Sequence, residues 1–157
     1  TASICNLRPT SRGHIRIKSP DPRSYPAIML NYLSTPEDRR VAAKGLRTTR
    51  RIVTGTQTMK RYSPEEFLPG PAYQSEDELV KAAGIVGTTI FHPVGTCKMG
   101  LDTDPMSVVT SSLRVRGIER LRVVDASIMP TITSGNTNSP TVMIAEKGAA
   151  ILAGAAS

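Results

Sequence analysis

The chain has 157 residues, 39% hydrophobic and 21% charged, a size and composition suited to one globular domain or a piece of a larger one. No apolar run approaches the roughly 18–20 residues of a membrane span, and the opening TASICNLRP lacks the basic-then-apolar layout of a secretory leader. Twenty Lys and Arg against thirteen Asp and Glu give a formal charge of +7, yet Arg39, Arg40, Lys44, Arg47, Arg50 and Arg51 share one helix-like stretch without interleaved aromatics. That pattern reads as a solvated helix face, so no nucleic-acid partner is expected.

In chain order, Ser3 to Leu7 and His14 to Lys18 alternate in character and predict two short strands around the turn Ser11-Arg12-Gly13. Pro20, Pro22 and Pro26 then argue against regular structure. PEDRRVAAKGLRTTRRIVTG predicts a helix from Pro36, capped by Thr35, acidic at its start, basic toward its end and stopped at Gly55. Its apolar face is expected from Val41, Leu46, Ile52 and Val53. Ser75 with Glu78 forms a capping-box pattern that predicts a second helix from Ser75 through Ala83, ending near Gly84 or Gly87. Leu113 to Arg116 and Leu121 to Val124 predict a hairpin about a Gly-containing turn. A last helix from about Pro140 to Ala153 is nearly all apolar or small, and such a helix expects burial on more than one side. Strands and helices do not alternate regularly, so the expected class is α+β with a mostly antiparallel sheet flanked by helices. The chain opens on what reads as a strand without an initiator methionine, which points to a piece of a longer polypeptide.

No GxGxxG follows a strand, and neither a GxxxxGK[ST] loop nor a GxSxG elbow occurs. Cys5 and Cys97 have no CxxC or Cys/His ligand spacing; two reduced thiols, Cys97 buried and inert, a cytoplasmic setting and no metal site are expected. Two polar clusters remain in apolar settings: His92 in FHPVGTC, and the run from Ser134 to Thr141 leading into the last helix. Taken singly, each has an ordinary structural explanation. A histidine between Phe91 and Pro93 serves as a hydrogen-bonded core residue, the Asn/Thr/Ser run caps a helix, and Asp125 in VVDASIMP caps the short turn after a strand.

Taken in order, FHPVGTCKMG, LRVRGIERLRVVDASIMP and SGNTNSPTVMIAEKGA closely resemble the C-terminal, substrate-binding part of the glucose-methanol-choline family of flavin oxidoreductases, which includes choline dehydrogenases and related alcohol dehydrogenases. The resemblance covers nearly all of residues 1–157, and LRP, SRG and NYL near the start match the family's substrate-domain opening. Thr110-Ser111 departs from the Asp-Pro common in relatives, and the family's N-terminal flavin-binding half has no counterpart in the 157 residues.

The resemblance implies a catalytic His92 near the reactive edge of the flavin, with Asn138 in the second position, where members carry His or Asn. Alcohol oxidation removes a hydroxyl proton while a hydride leaves the same carbon, so a nearby base lowers the barrier, and imidazole suits that work. An amide cannot act as base but orients the hydroxyl and stabilises developing alkoxide charge. By the same resemblance Asp125 and Ala126 pass the ribityl and pyrophosphate portion of FAD, while Ser139, Pro140, Thr141 and Val142 begin a helix whose amides meet the flavin's pyrimidine edge. His14 matches no functional position and reads as a surface strand residue.

The implied partners are the FAD-binding half of the same polypeptide, a small-molecule alcohol and an electron acceptor, either a quinone or oxygen. The whole enzyme is read as a choline-like alcohol dehydrogenase, with an alcohol oxidase and a non-catalytic binding module as alternatives and membrane association left open. The chain alone is expected to be inactive and not to retain FAD. Its last helix would pack on the FAD domain in the whole enzyme; alone, it is expected to self-associate through Val142, Ile144 and Ile151 or to fray.

Overall fold

In the computed structural model, which describes residues 1–154, the Thr35 hydroxyl accepts from the Asp38 amide at 3.3 Å and starts helix α1, Pro36–Gly55. Pro36 at the first helical position costs nothing there, because its missing N–H would have no intrahelical acceptor. Positions 43, 46, 50 and 53 fall on one side at 100° per residue. Ala43 is fully buried and Leu46, Arg50 and Val53 are half-buried, whereas Ile52, one residue's turn off the stripe, is exposed, contrary to the sequence expectation. One further turn, α2 (Gln57–Lys60), follows at once and was not foreseen. Helix α3, Glu76–Val86, carries the complete capping box, with Glu78 Oε2 accepting from the amides of Ser75 at 2.9 Å and Gln74 at 3.0 Å. It packs on α1 through Leu79 and Ala82, both buried.

Arg50 fastens α1 to the loop before α3. Its guanidinium forks onto Glu66 at 2.8 and 2.9 Å and also donates to the carbonyls of Tyr73 at 2.6 Å and Gly70 at 2.9 Å. Strands β1 (His14–Arg16) and β2 (Ala27–Met29) pair antiparallel with Ile15 opposite Ile28. His14 is exposed, as read from the sequence. The prolines did not exclude the second strand: Pro26, which has no N–H to offer a ladder, stands just outside it. Ser3 to Leu7 is not a strand. Asn6 instead donates to Asp38 Oδ1 at 3.2 Å, so side-chain bonding to the start of α1 replaces sheet pairing.

Asp38 is the hub of that junction, buried and also accepting from the amides of Thr10 at 2.9 Å and Ser11 at 2.8 Å. Burial pushes its carboxyl up, but the combined hydrogen bonds from Ser11 and Thr10 outweigh it and hold the group below its ordinary value. A depressed folded-state value means that the stabilisation is complete above the unfolded value of about 4 and is lost as pH falls through the lower folded value. Asp38→Asn is expected to cost about 1–3 kcal/mol at neutral pH and to flatten the acid dependence of the urea midpoint followed by circular dichroism. An unchanged acid limb in the variant would remove Asp38 as its source.

These elements belong to the first of two compact units, Thr1–Ile90; the second begins at Phe91. In the second, the predicted hairpin closes through Val115 N–H to Leu121 C=O at 3.0 Å and Val123 N–H to Leu113 C=O at 3.1 Å. It forms as isolated bridges rather than extended strands, with Arg114 opposite Arg122 and Val109 bridging both Val115 and Met99. The α+β class with antiparallel pairing therefore holds, with short strands. A single 3-10 turn, Ala126–Ile128, follows the hairpin, and helix α4, Asn138–Leu152, closes the unit. Val109, Leu113, Ile128, Met129 and Ile144 form its core.

Within this chain helix α4 buries one face. Ile144 and Gly148 are buried and Ile151 is half-buried against the core, while Val142, Met143 and Leu152 remain exposed. Of the residues expected to drive self-association, only Val142 is free at the surface. Gly148 is the point of closest approach: a Cβ there would strike the Val124 side chain, so glycine lets α4 lie directly on the hairpin's second limb. Among the described residues no helix is long and apolar enough to cross a membrane.

Candidate active site

The segment around His92 is positioned by backbone bonds onto the 3-10 turn. Cys97 N–H donates to Ser127 C=O at 3.1 Å, and Met99 N–H to Ile128 C=O at 2.8 Å. Between them and His92 lies Gly95, whose φ of +85° suits glycine, and an added Cβ there would stand 3.3 Å from the Met129 carbonyl oxygen. Asp125 caps the turn as the sequence suggested, Oδ1 accepting from the Ser127 amide at 2.8 Å and hydroxyl at 2.5 Å. Ala126 is half-buried within that turn. Cys97 is half-buried rather than buried, because its segment lies along the surface of the turn; it and Cys5 are both free thiols.

His92 is half-buried, and its Nδ1 shares a hydrogen bond of 2.8 Å with Oγ1 of Thr137, which is 7% exposed. Among the described residues its Nε2 has no hydrogen-bond partner. Thr137 immediately precedes Asn138, and consecutive Cα atoms lie about 3.8 Å apart, so this bond brings His92 to the residue beside the second predicted catalytic position. The Asn138 side chain is exposed, and its backbone N–H donates to Asn136 Oδ1 at 2.9 Å.

The first turn of α4 offers less to a ligand than the sequence reading supposed. Pro140 has no N–H, and the Thr141 amide and hydroxyl both donate to Thr137 C=O, at 3.1 and 2.6 Å. The Ser139 amide, at the positive end of the helix dipole, has no acceptor among the described residues, and Ser139 is exposed. Val142 is exposed one residue further along. An electron-rich carbonyl edge fits this arrangement, received by the Ser139 amide rather than by a row of them. Thr137 is the residue that sequence reasoning passed over. It stood inside a run explained as helix capping, and only contact with His92, 45 positions away, gives it another role.

The GMC oxidoreductase family model for the C-terminal region matches residues 9–145. The alcohol dehydrogenase (acceptor) of Pseudomonas putida is 49% identical over 152 residues, which are 97% of this chain and 27% of that protein. Oxygen-dependent choline dehydrogenase 1 of Chromohalobacter salexigens is 46% identical over 146 residues, 93% of this chain and 26% of its own. Among solved structures, an FAD-dependent oxidoreductase from Chaetomium thermophilum superposes with a TM-score of 0.84 at 28% identity, over 93% of this chain and 25% of that one. This chain belongs to the GMC oxidoreductase family, to its C-terminal region. It spans about a quarter of the length of the curated relatives it matches.

Proposed function

We propose that this chain forms the substrate-side part of an FAD-dependent enzyme that oxidises a CH–OH group, choline-like alcohols included. The observation that carries the reading is His92, oriented through Nδ1 with Nε2 unengaged, beside the residue that precedes Asn138. The names of the relatives, an alcohol dehydrogenase and a choline dehydrogenase, agree with it. FAD, when bound, supplies the hydride acceptor. Asp125, Ala126 and the start of α4 at Ser139 and Pro140 are the residues of this chain that would hold it, with Thr141 and Val142 completing the helix turn behind them.

In this reading, His92 Nε2 takes the hydroxyl proton of the alcohol. Asn138, unencumbered in its side chain, donates to the same oxygen and stabilises charge as the proton leaves. Replacing Asn138 by Ala in the whole enzyme is expected to slow anaerobic flavin reduction by substrate about 10–10³-fold; a wild-type rate would remove Asn138 from the site. The chain by itself lacks a phosphate-cradling glycine loop and is expected to purify colourless. Stoichiometric flavin absorbance surviving gel filtration would show that these residues hold the cofactor unaided.

A further inference from the structure

We infer that Thr137 is a positioning residue for His92, holding Nδ1 so that Nε2 is the nitrogen offered to the alcohol. The inference rests on the proposed role of His92 as base and adds the group that aims it.

Thr137 occupies the N-cap of α4, where a threonine hydroxyl ordinarily accepts from the amide two or three residues on. It makes no such bond here, and its backbone is helical rather than extended, with φ −82° and ψ −3°. The third position of the helix is Pro140, which has no N–H to give. The TNSP sequence therefore withdraws one capping donor and leaves the hydroxyl to His92, 2.8 Å away. Thr137 itself is buried, and its carbonyl is tied by both the amide and the hydroxyl of Thr141, so the hydroxyl sits on a fixed backbone.

The chemistry of the partner matters as much as its place. A hydroxyl both donates and accepts. It serves Nδ1 as a bare acceptor in one neutral tautomer, and as N–H in the other tautomer and in the imidazolium. With Nε2 bare and ready to take a proton, Nδ1 carries the ring hydrogen and donates to Thr137 Oγ1, and it donates in the same way in the imidazolium, so the contact is unchanged when Nε2 is protonated. A backbone N–H would serve only the first of these states, and a carbonyl only the other two.

The test uses the whole flavoprotein with 15N-labelled histidine, the His92 signals being identified by their loss in His92→Gln. Thr137→Val keeps the shape of the side chain and removes the hydroxyl; Thr137→Ser keeps the hydroxyl. The two ring nitrogen shifts of His92 are expected to move in Thr137→Val toward the averaged pattern of an unrestrained imidazole and to stay near wild type in Thr137→Ser. Flavin reduction is expected to slow about tenfold or more in Thr137→Val at unchanged KM and to recover in Thr137→Ser. Unchanged nitrogen shifts in Thr137→Val overturn the inference. So does a wild-type reduction rate in Thr137→Val alongside a slow His92→Gln, an outcome that leaves the role of His92 standing. If His92→Gln itself reduces at the wild-type rate, the role of His92 as base fails, and the nitrogen shifts alone decide whether Thr137 holds the ring.

Discussion

Replacing His92 by Ala in the whole enzyme is expected to slow reduction of the bound flavin by substrate about 10²–10⁴-fold, the range of a lost acid–base group. The geometry supports an effect of this size because the ring is held at one nitrogen by Thr137 and left unengaged at the other. Truncation therefore removes a group already oriented, and its orientation would not have to be found anew in each turnover. Stopped-flow measurement without oxygen isolates this half of the reaction from reoxidation. His92→Gln sharpens the result, since glutamine offers hydrogen bonds of similar reach but no titrating nitrogen, and is expected to stay within about tenfold of the Ala variant if proton removal is the main contribution. Recovery of the wild-type rate by Gln would assign His92 to orientation alone. A wild-type rate in the Ala variant would make it a structural histidine.

Loss of the Arg50 side chain is expected to destabilise the first unit strongly. The guanidinium satisfies Glu66 through two bonds and two carbonyls besides, and the ion pair is 18% and 19% exposed at its two side chains. Arg50→Ala leaves a largely desolvated carboxylate and two carbonyl groups without their donor. A cost of about 2–4 kcal/mol follows, reduced from the fully buried case because water still reaches the edge of the pair. Arg50→Lys keeps the charge but not the planar fork and is expected to recover less than half of that loss. Adding Glu66→Gln to Arg50→Ala is expected to restore part of it, because the isolated carboxylate is then gone. Denaturant unfolding of the three variants checks the set. An Arg50→Ala cost under about 0.5 kcal/mol would place the pair among surface contacts of little weight.

Local chemistry made parts of the fold legible. Thr35, Pro36 and the acids after them mark the start of α1, and Ser75 with Glu78 marks the start of α3, since each cap is made by residues within four positions of one another. The β2 strand was hidden because Pro26 reads as a break, yet a proline just outside a strand withholds nothing from the ladder. Ile52 was misplaced for a different reason. Apolar character alone does not distinguish two neighbours a hundred degrees apart on a helix, and the half-buried Arg50 took a place on the inner stripe that a hydrophobic reading reserves for Val or Ile.

At the site the division falls along the same line. His92, Asp125 and Asn138 stand out as candidates because their motifs follow the order of a known family, and the capping of the turn by Asp125 is a bond over two residues. The sequence by itself thus determined the helix starts, the turn at Asp125 and the family to which the chain belongs. Only the tertiary structure decided that Thr137 faces His92, that Gly148 admits α4 onto Val124, and that α4 buries one face. Capping bonds and turns are settled by neighbours in the chain, so residue types at short spacing suffice to read them. A hydroxyl released by Pro140 finds its partner 45 residues away, and that choice is made by packing the 3-10 turn, the hairpin and α4 around one core.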